Sequence, residues 1–149
     1  MFLHSLFFVR LGLLNFAKLS MIMEADLLTQ KVIGCAIEVH KQLGPGLLES
    51  SYESCLMYEL TQAGLLAKSQ VLLPITYKHV EIDAGYRLDI LLPNKLIIEL
   101  KAVDKLLPIH SAQLLTYMKL AEINSGLLIN FNVNKLVDGV KRFNLAKSE

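Results

Sequence analysis

Tyr86-Arg87-Leu88-Asp89 is followed, ten positions after the aspartate, by Glu99-Leu100-Lys101 inside the apolar run from Leu96 to Val103. Both stretches have the aliphatic content of strands, and Pro93-Asn94-Lys95 between them has turn chemistry. If those residues form the loop, Leu92 pairs with Leu96 and Asp89 falls directly opposite Glu99, with the two side chains on one face about 5 Å apart. Lys101 projects from that same face, and Leu100 points to the other. A two-residue loop would slip the register by one and put Asp89 and Glu99 on opposite faces. The hairpin therefore predicts a charged patch on a sheet only if its loop has an odd number of residues.

Charges where a sheet normally buries Val, Ile or Leu are unfavourable unless they are paired or bound to something. Two carboxylates facing each other across a hairpin also repel, and a divalent cation is the simplest partner for both. The lysine is then free to act on whatever the metal activates, the chemistry of metal-dependent phosphodiester hydrolysis. The pattern also has a plainer reading, a Glu99–Lys101 salt bridge at a strand end with Asp89 solvated on an edge.

Upstream, Gly46-Leu47-Leu48-Glu49-Ser50-Ser51-Tyr52 spells Gly-x-x-Glu-x-x-Tyr. The chain resembles the GxxExxY family, small bacterial and archaeal proteins of the PD-(D/E)xK nuclease superfamily. The resemblance runs from about Leu27 to Leu145. It takes in Glu38 to Gly46, the Tyr86-Arg87-x-Asp89 strand, Glu99-Leu100-Lys101-Ala102, Pro108 to Tyr117 and Leu128 to Asn132. It implies a restriction-endonuclease-like α/β core. It implies Asp89 and Glu99 as metal carboxylates with the Leu100 carbonyl as a further ligand, and Lys101 as the catalytic lysine. Glu49 matches the acidic residue that related nucleases carry on the helix before the core sheet. Gln113 and Tyr117 match a Gln-x-x-x-Tyr motif of RecB-type nucleases, and their spacing puts them on one helical face. Tyr52 and Arg87 would support the site.

Other residues have simpler readings. Gly44-Pro45-Gly46 lacks the lysine and spacing of a P-loop and reads as a helix stop. Tyr52 either hydrogen-bonds Glu49 or is a core aromatic with its hydroxyl at the rim. His110 reads as a helix-cap residue. Cys35 and Cys55 have no metal-ligand spacing and read as small buried thiols in a reducing cytoplasm. The four histidines show no paired zinc spacing, and the order of a serine hydrolase is absent.

The 149 residues, 53% hydrophobic and 19% charged, suit one compact domain. Residues 1–22 look foreign to it: an apolar extension with Arg10 and Lys18, its uncharged runs too short to cross a bilayer. It lacks the charge order of a secretory signal. Met21 and Met23 stand before Glu24-Ala25-Asp26, which reads as a helix start, so the domain is expected over residues 23–149. The chain carries 15 basic and 14 acidic residues; without Arg10 and Lys18 it has 13 against 14. A nonspecific DNA binder usually shows a strong positive excess. The basic residues must cluster locally, or affinity comes from a homodimer or a protein partner.

The expected elements are helices over about 25–43, 48–63 and 111–122, and strands over about 70–77, 86–92, 96–103, 126–131 and 142–145, a mixed sheet flanked by helices. The resulting expectation is a cytoplasmic Mg²⁺- or Mn²⁺-dependent nuclease acting on DNA or RNA, endo- or exonucleolytic, with no membrane partner. The alternative is a non-catalytic nucleic-acid- or protein-binding module on the same fold.

Overall fold

The computed structural model describes residues 2–145. Helix α1 covers Phe2–Leu43 and α2 covers Glu49–Gln62; strands β1 (Lys68–Leu72), β2 (Ile75–Tyr77), β3 (Val80–Ile82), β4 (Arg87–Leu92) and β5 (Leu96–Lys101) follow. Helix α3 (Pro108–Leu120), β6 (Ser125–Asn130), a 3-10 turn (Leu136–Gly139) and β7 (Val140–Asn144) complete the chain. Five strands form one sheet in the order β1-β4-β5-β6-β7, antiparallel except for the parallel β5–β6 pair. That crossover carries α3, as a parallel connection requires.

Side-chain alternation divides the sheet between two cores. Ile90, Leu92, Ile98 and Leu100 are buried with Val32, Ala36 and Val39 of α1 and Tyr52, Leu56 and Leu60 of α2. Ile97 and Leu128 are buried with Leu114, Tyr117 and Met118 of α3 on the opposite face. The result is the expected restriction-endonuclease-like α/β/α sandwich. Close approach of α3 needs Gly126, because a Cβ there would lie 2.5 Å from Met118 Sδ.

Three expectations about local structure change. First, α1 does not begin near Glu24; it runs without a break from Phe2. Residues 2–24 contain no proline and are rich in Leu, Phe and Met, so nothing local ends the helix, and Glu24 and Asp26 sit in its middle. Its amino-terminal part packs on nothing: Leu6, Phe7, Phe8, Leu13, Leu14 and Phe16 are all exposed. By length and composition, α1 from Leu6 onward is long and apolar enough to cross a membrane.

Second, the strand expected over 70–77 is split. Pro74 has no N–H to give a ladder, and β2 leaves the main sheet to pair with β3 in a separate hairpin, Ile75↔Ile82 and Tyr77↔Val80. Third, α3 starts earlier, with Pro108 in its first turn, where a missing N–H has no consequence. The Gly44-Pro45-Gly46 stop is as expected: Gly44 (φ +67) donates its N–H to His40 O at 2.8 Å, and Gly46 has φ +101.

Candidate active site

The β4–β5 hairpin has the odd loop that the charged patch needs. Leu92 pairs with Leu96, Leu91 with Ile97 and Ile90 with Ile98. Asn94 takes the left-handed conformation (φ +62), and Lys95 N–H donates to Leu92 O at 3.0 Å, closing the three-residue loop. The ladder runs as far as Ile90↔Ile98. Beyond it Leu88 joins the α3-side core while Ile90 lies in the α1–α2 core, so the strict alternation expected to set Asp89 directly opposite Glu99 is interrupted at Asp89. Because β4 lies between β1 and β5, Asp89 is central in the sheet.

The carboxylates are held unequally. Asp89 Oδ2 accepts the Leu100 main-chain N–H at 2.8 Å. Glu99 is buried (3% exposed), and its Oε1 meets Lys101 Nζ at 3.3 Å. Its Oε2 is buried with no hydrogen-bond partner. Burial, and then the Asp89 charge, push the Glu99 carboxyl up to about 8, against the pull of Lys101. Burial raises Asp89 as well, opposed by the Leu100 N–H and Lys101. Burial and the Asp89 charge on Glu99 thus both disfavour full ionisation of the pair. The salt-bridge reading is thus realised in part, but one ammonium satisfies only one of the two glutamate oxygens.

Glu49 is the first residue of α2, entering from the other helical layer. Burial raises its carboxyl, while the Lys101 ammonium lowers it and the Asp89 charge raises it further, which places it within electrostatic reach of the hairpin. On α3, Gln113 Nε2 donates to the Tyr117 hydroxyl at 2.7 Å. Burial also raises Tyr117, after which Gln113 lowers it and Glu99 raises it. Asp89, Glu99, Lys101, Glu49, Gln113 and Tyr117 thus form one neighbourhood.

The remaining expected residues make the following contacts. Tyr52 does not bond Glu49. Its hydroxyl donates to Gly44 O at 2.6 Å and accepts the Leu47 N–H at 3.1 Å, and its ring stacks on Phe131 at 4.4 Å. Tyr52 therefore clamps the glycine loop that aims α2, and with it Glu49, at the sheet. Arg87 Nη1 donates to Gln70 O at 3.3 Å. Leu100 is fully buried and offers its N–H to Asp89. His110 Nδ1 accepts the Leu107 N–H at 3.0 Å, the helix-cap role. Cys35 and Cys55 are half-buried free thiols.

Three residues escape the sequence reading. Glu53, one turn beyond Glu49, accepts Gln70 Nε2 at 2.7 Å, and burial raises its carboxyl. Gln70 lies opposite Asp89 in the β1–β4 register and has φ +54. The four-residue spacing of Glu49 and Glu53 was a usable signal; nothing in sequence marks Gln70. Asn130, 2% exposed, donates Nδ2 to Val103 O at 2.8 Å and accepts Val103 N–H at 3.1 Å. It fixes the chain just after Lys101.

The donor chemistry fits a divalent cation. Glu99 Oε2 is a buried oxygen without a partner, and the Asp89 carboxylate beside it has hard oxygen donors. Among the described residues no three His, Cys, Asp or Glu side chains converge on one point, so the protein would supply two carboxylates and leave other positions to main chain, water or substrate.

The sequence model of the PD-(D/E)XK nuclease superfamily matches residues 26–143. The chain belongs to that superfamily. The match spans both charged strands, α2 and α3. Comparison with curated proteins gave no match, and comparison with solved structures gave none.

Proposed function

We propose that this PD-(D/E)XK domain is a Mg²⁺- or Mn²⁺-dependent nuclease hydrolysing nucleic-acid phosphodiester bonds, of the GxxExxY type. The observation that carries the reading is Glu99 Oε2, a buried oxygen with no partner, on a residue that ion-pairs with Lys101 and feels the Asp89 charge. A fold that only needed a salt bridge would not bury a second, unsatisfied carboxylate oxygen, since leaving one costs about 1–3 kcal/mol or more.

In this reading Asp89 and Glu99 hold the cation, with the Leu100 main chain beside them. When bound, the cation supplies a Lewis acid for the phosphate and lowers the pKa of a water. Lys101 places its ammonium where charge builds on the phosphorus oxygens, a preorganised donor in a partly desolvated site. Glu49, raised by burial, can take or hold a proton at the rim. Gln113 and Tyr117, bonded to each other, present a neutral polar wall on the α3 side. Every residue of this site comes from one chain. The domain is taken to begin near residue 23, with the exposed part of α1 outside it, and two free thiols suit a reducing cytoplasm.

A second reading is favoured by one observation. The formal net charge is +1, whereas nucleic-acid binding driven by phosphate contacts shows a strong basic excess. In that reading the fold is a non-catalytic binding module. A cleavage assay on single-stranded, duplex and branched substrates, with Mg²⁺, Mn²⁺ or EDTA, separates the two. Metal-dependent cleavage lost in Asp89→Asn supports the nuclease; wild-type protein without cleavage on any substrate supports the module.

A further inference from the structure

Beside the charged hairpin, on the same face of the sheet, lies an apolar cavity of about 250 Å³ lined by Ile75, Tyr86, Ile109, Gln113, Tyr117 and Leu120. We propose that this cavity receives an unpaired nucleobase, so that the substrate is single-stranded or frayed nucleic acid. The inference rests on the nuclease reading and names the substrate class of that same site.

Size is the first argument. Pockets for whole small-molecule ligands run from about 300 to 1,000 Å³; this one is smaller and fits a single ring system. Lining chemistry is the second. The Tyr86 and Tyr117 rings are 6.1 Å apart and inclined at 59°, so they are not stacked face to face. Tyr86 is 43% exposed, so its ring is available to a planar partner. Gln113 adds an amide at the pocket wall, where its oxygen can meet a base edge.

Position is the third argument. Tyr86 immediately precedes β4, three residues before Asp89, or about 10 Å along an extended chain. Tyr117 lies close enough to Glu99 and Lys101 to feel both charges. A base in the cavity therefore belongs to a nucleotide adjacent to the phosphate held at Asp89 and Glu99. Charge is the fourth. A chain with 15 basic and 14 acidic residues has a net positive excess of only one charge to attract phosphate, whereas stacking on aromatic rings binds every base whatever the net charge. A paired base in a duplex has its faces covered by neighbours and cannot enter.

The test uses full-length Asp89→Asn protein, in which cleavage is blocked, without added metal. Fluorescence anisotropy measures binding of a labelled single-stranded oligothymidylate, a blunt duplex of equal length and a strand of abasic sites. The single strand should bind best. Tyr86→Ala should weaken it on the order of tenfold, the size of one lost stacking contact. Tyr86→Phe, which keeps the ring, should change it less than about twofold. Neither substitution should alter binding of the abasic strand.

Equal losses for Tyr86→Ala and Tyr86→Phe, a preference for duplex, or no oligonucleotide binding at all overturns the proposal. So does a leucine- and phenylalanine-rich peptide that occupies the cavity while unpaired bases do not, which would assign it to a protein contact. The two readings fail separately. Cleavage by the wild type that ignores strandedness and Tyr86 removes the base pocket and keeps the nuclease. Base-dependent binding with no cleavage under Mn²⁺ removes the nuclease and keeps the pocket.

Discussion

The Asp89 carboxylate accepts the main-chain N–H of Leu100 at 2.8 Å, so one oxygen of the aspartate is engaged across the hairpin before any ligand arrives. That bond orients Asp89 toward Glu99, because Leu100 is the residue between Glu99 and Lys101. It also makes the aspartate part of the scaffold, with consequences that separate its structural from its ligand-binding role.

Asp89→Asn keeps a side-chain oxygen that can accept the Leu100 N–H, and it removes a charge that repels Glu99. The metal-free melting temperature should therefore stay constant or rise. Mg²⁺ or Mn²⁺ should raise the wild-type melting temperature and leave that of Asp89→Asn unmoved. Asp89→Ala also loses the acceptor and should cost about 1–3 kcal/mol by leaving the Leu100 N–H without a partner. Differential scanning fluorimetry with and without metal checks all three. An equal metal shift in wild type and Asp89→Asn would rule the site out.

Glu99 predicts a pH dependence of definite sign. Its carboxyl is raised from 4.5 to about 8 in the folded protein. Between those values the folded state holds a proton that the unfolded chain has lost, so metal-free stability falls as pH rises from about 4.5 to about 8. Urea unfolding at intervals across that window should show the decline, and Glu99→Gln should flatten it. Metal competes with that proton, so the stabilisation by Mg²⁺ should grow with pH over the same interval. A wild-type profile that rises through the window would contradict the burial of this carboxyl.

Lys101 is the only cation within ion-pair distance of Glu99 among the described residues. Lys101→Ala should lower the cleavage rate about 100-fold or more, the usual effect of losing one preorganised donor. Substrate affinity should change much less. Lys105→Ala, an exposed neighbour, provides the comparison. If the two variants match in both single-turnover cleavage and affinity, Lys101 has no special role.

Removing residues 2–22 should leave the unfolding midpoint unchanged within error, because Leu6, Phe7, Phe8, Leu13, Leu14 and Phe16 of that stretch are all exposed. Solubility should improve, since a wide exposed apolar surface is lost. Circular dichroism and gel filtration on the shortened and full chains decide it. A shortened chain that is insoluble while the full chain is soluble would return the segment to the core.

Much of the site could be read from residue spacing because the governing rules are local. Loop parity sets the hairpin register, and the three loop residues pair Leu92 with Leu96 and Ile90 with Ile98 as expected. Helical spacing brought Gln113 and Tyr117 together, and they are hydrogen-bonded. Failures came where a distant element chose the outcome. Tyr52 left two readings open, a bond to Glu49 or a core aromatic, and stacking on Phe131 from the far side of the fold decides for the core, with the hydroxyl on Gly44 O. The left-handed Gln70 and its bond to Glu53 join β1 to α2, a pairing that no local pattern encodes.

What this chain determines by itself is the hairpin of Arg87–Leu92 and Leu96–Lys101, with its three-residue loop and its register, because side-chain alternation and turn chemistry act over a few residues. Tertiary structure alone decides that Glu99 is buried with one oxygen unpaired, that Glu49 enters from the opposite layer, and that Tyr86 and Tyr117 leave an apolar cavity beside the carboxylates. Burial and field depend on what α2 and α3 place over the sheet, and those helices lie on either side of the hairpin in the chain. Desolvation is a property of the assembled environment, so it has no signature in the residues that experience it.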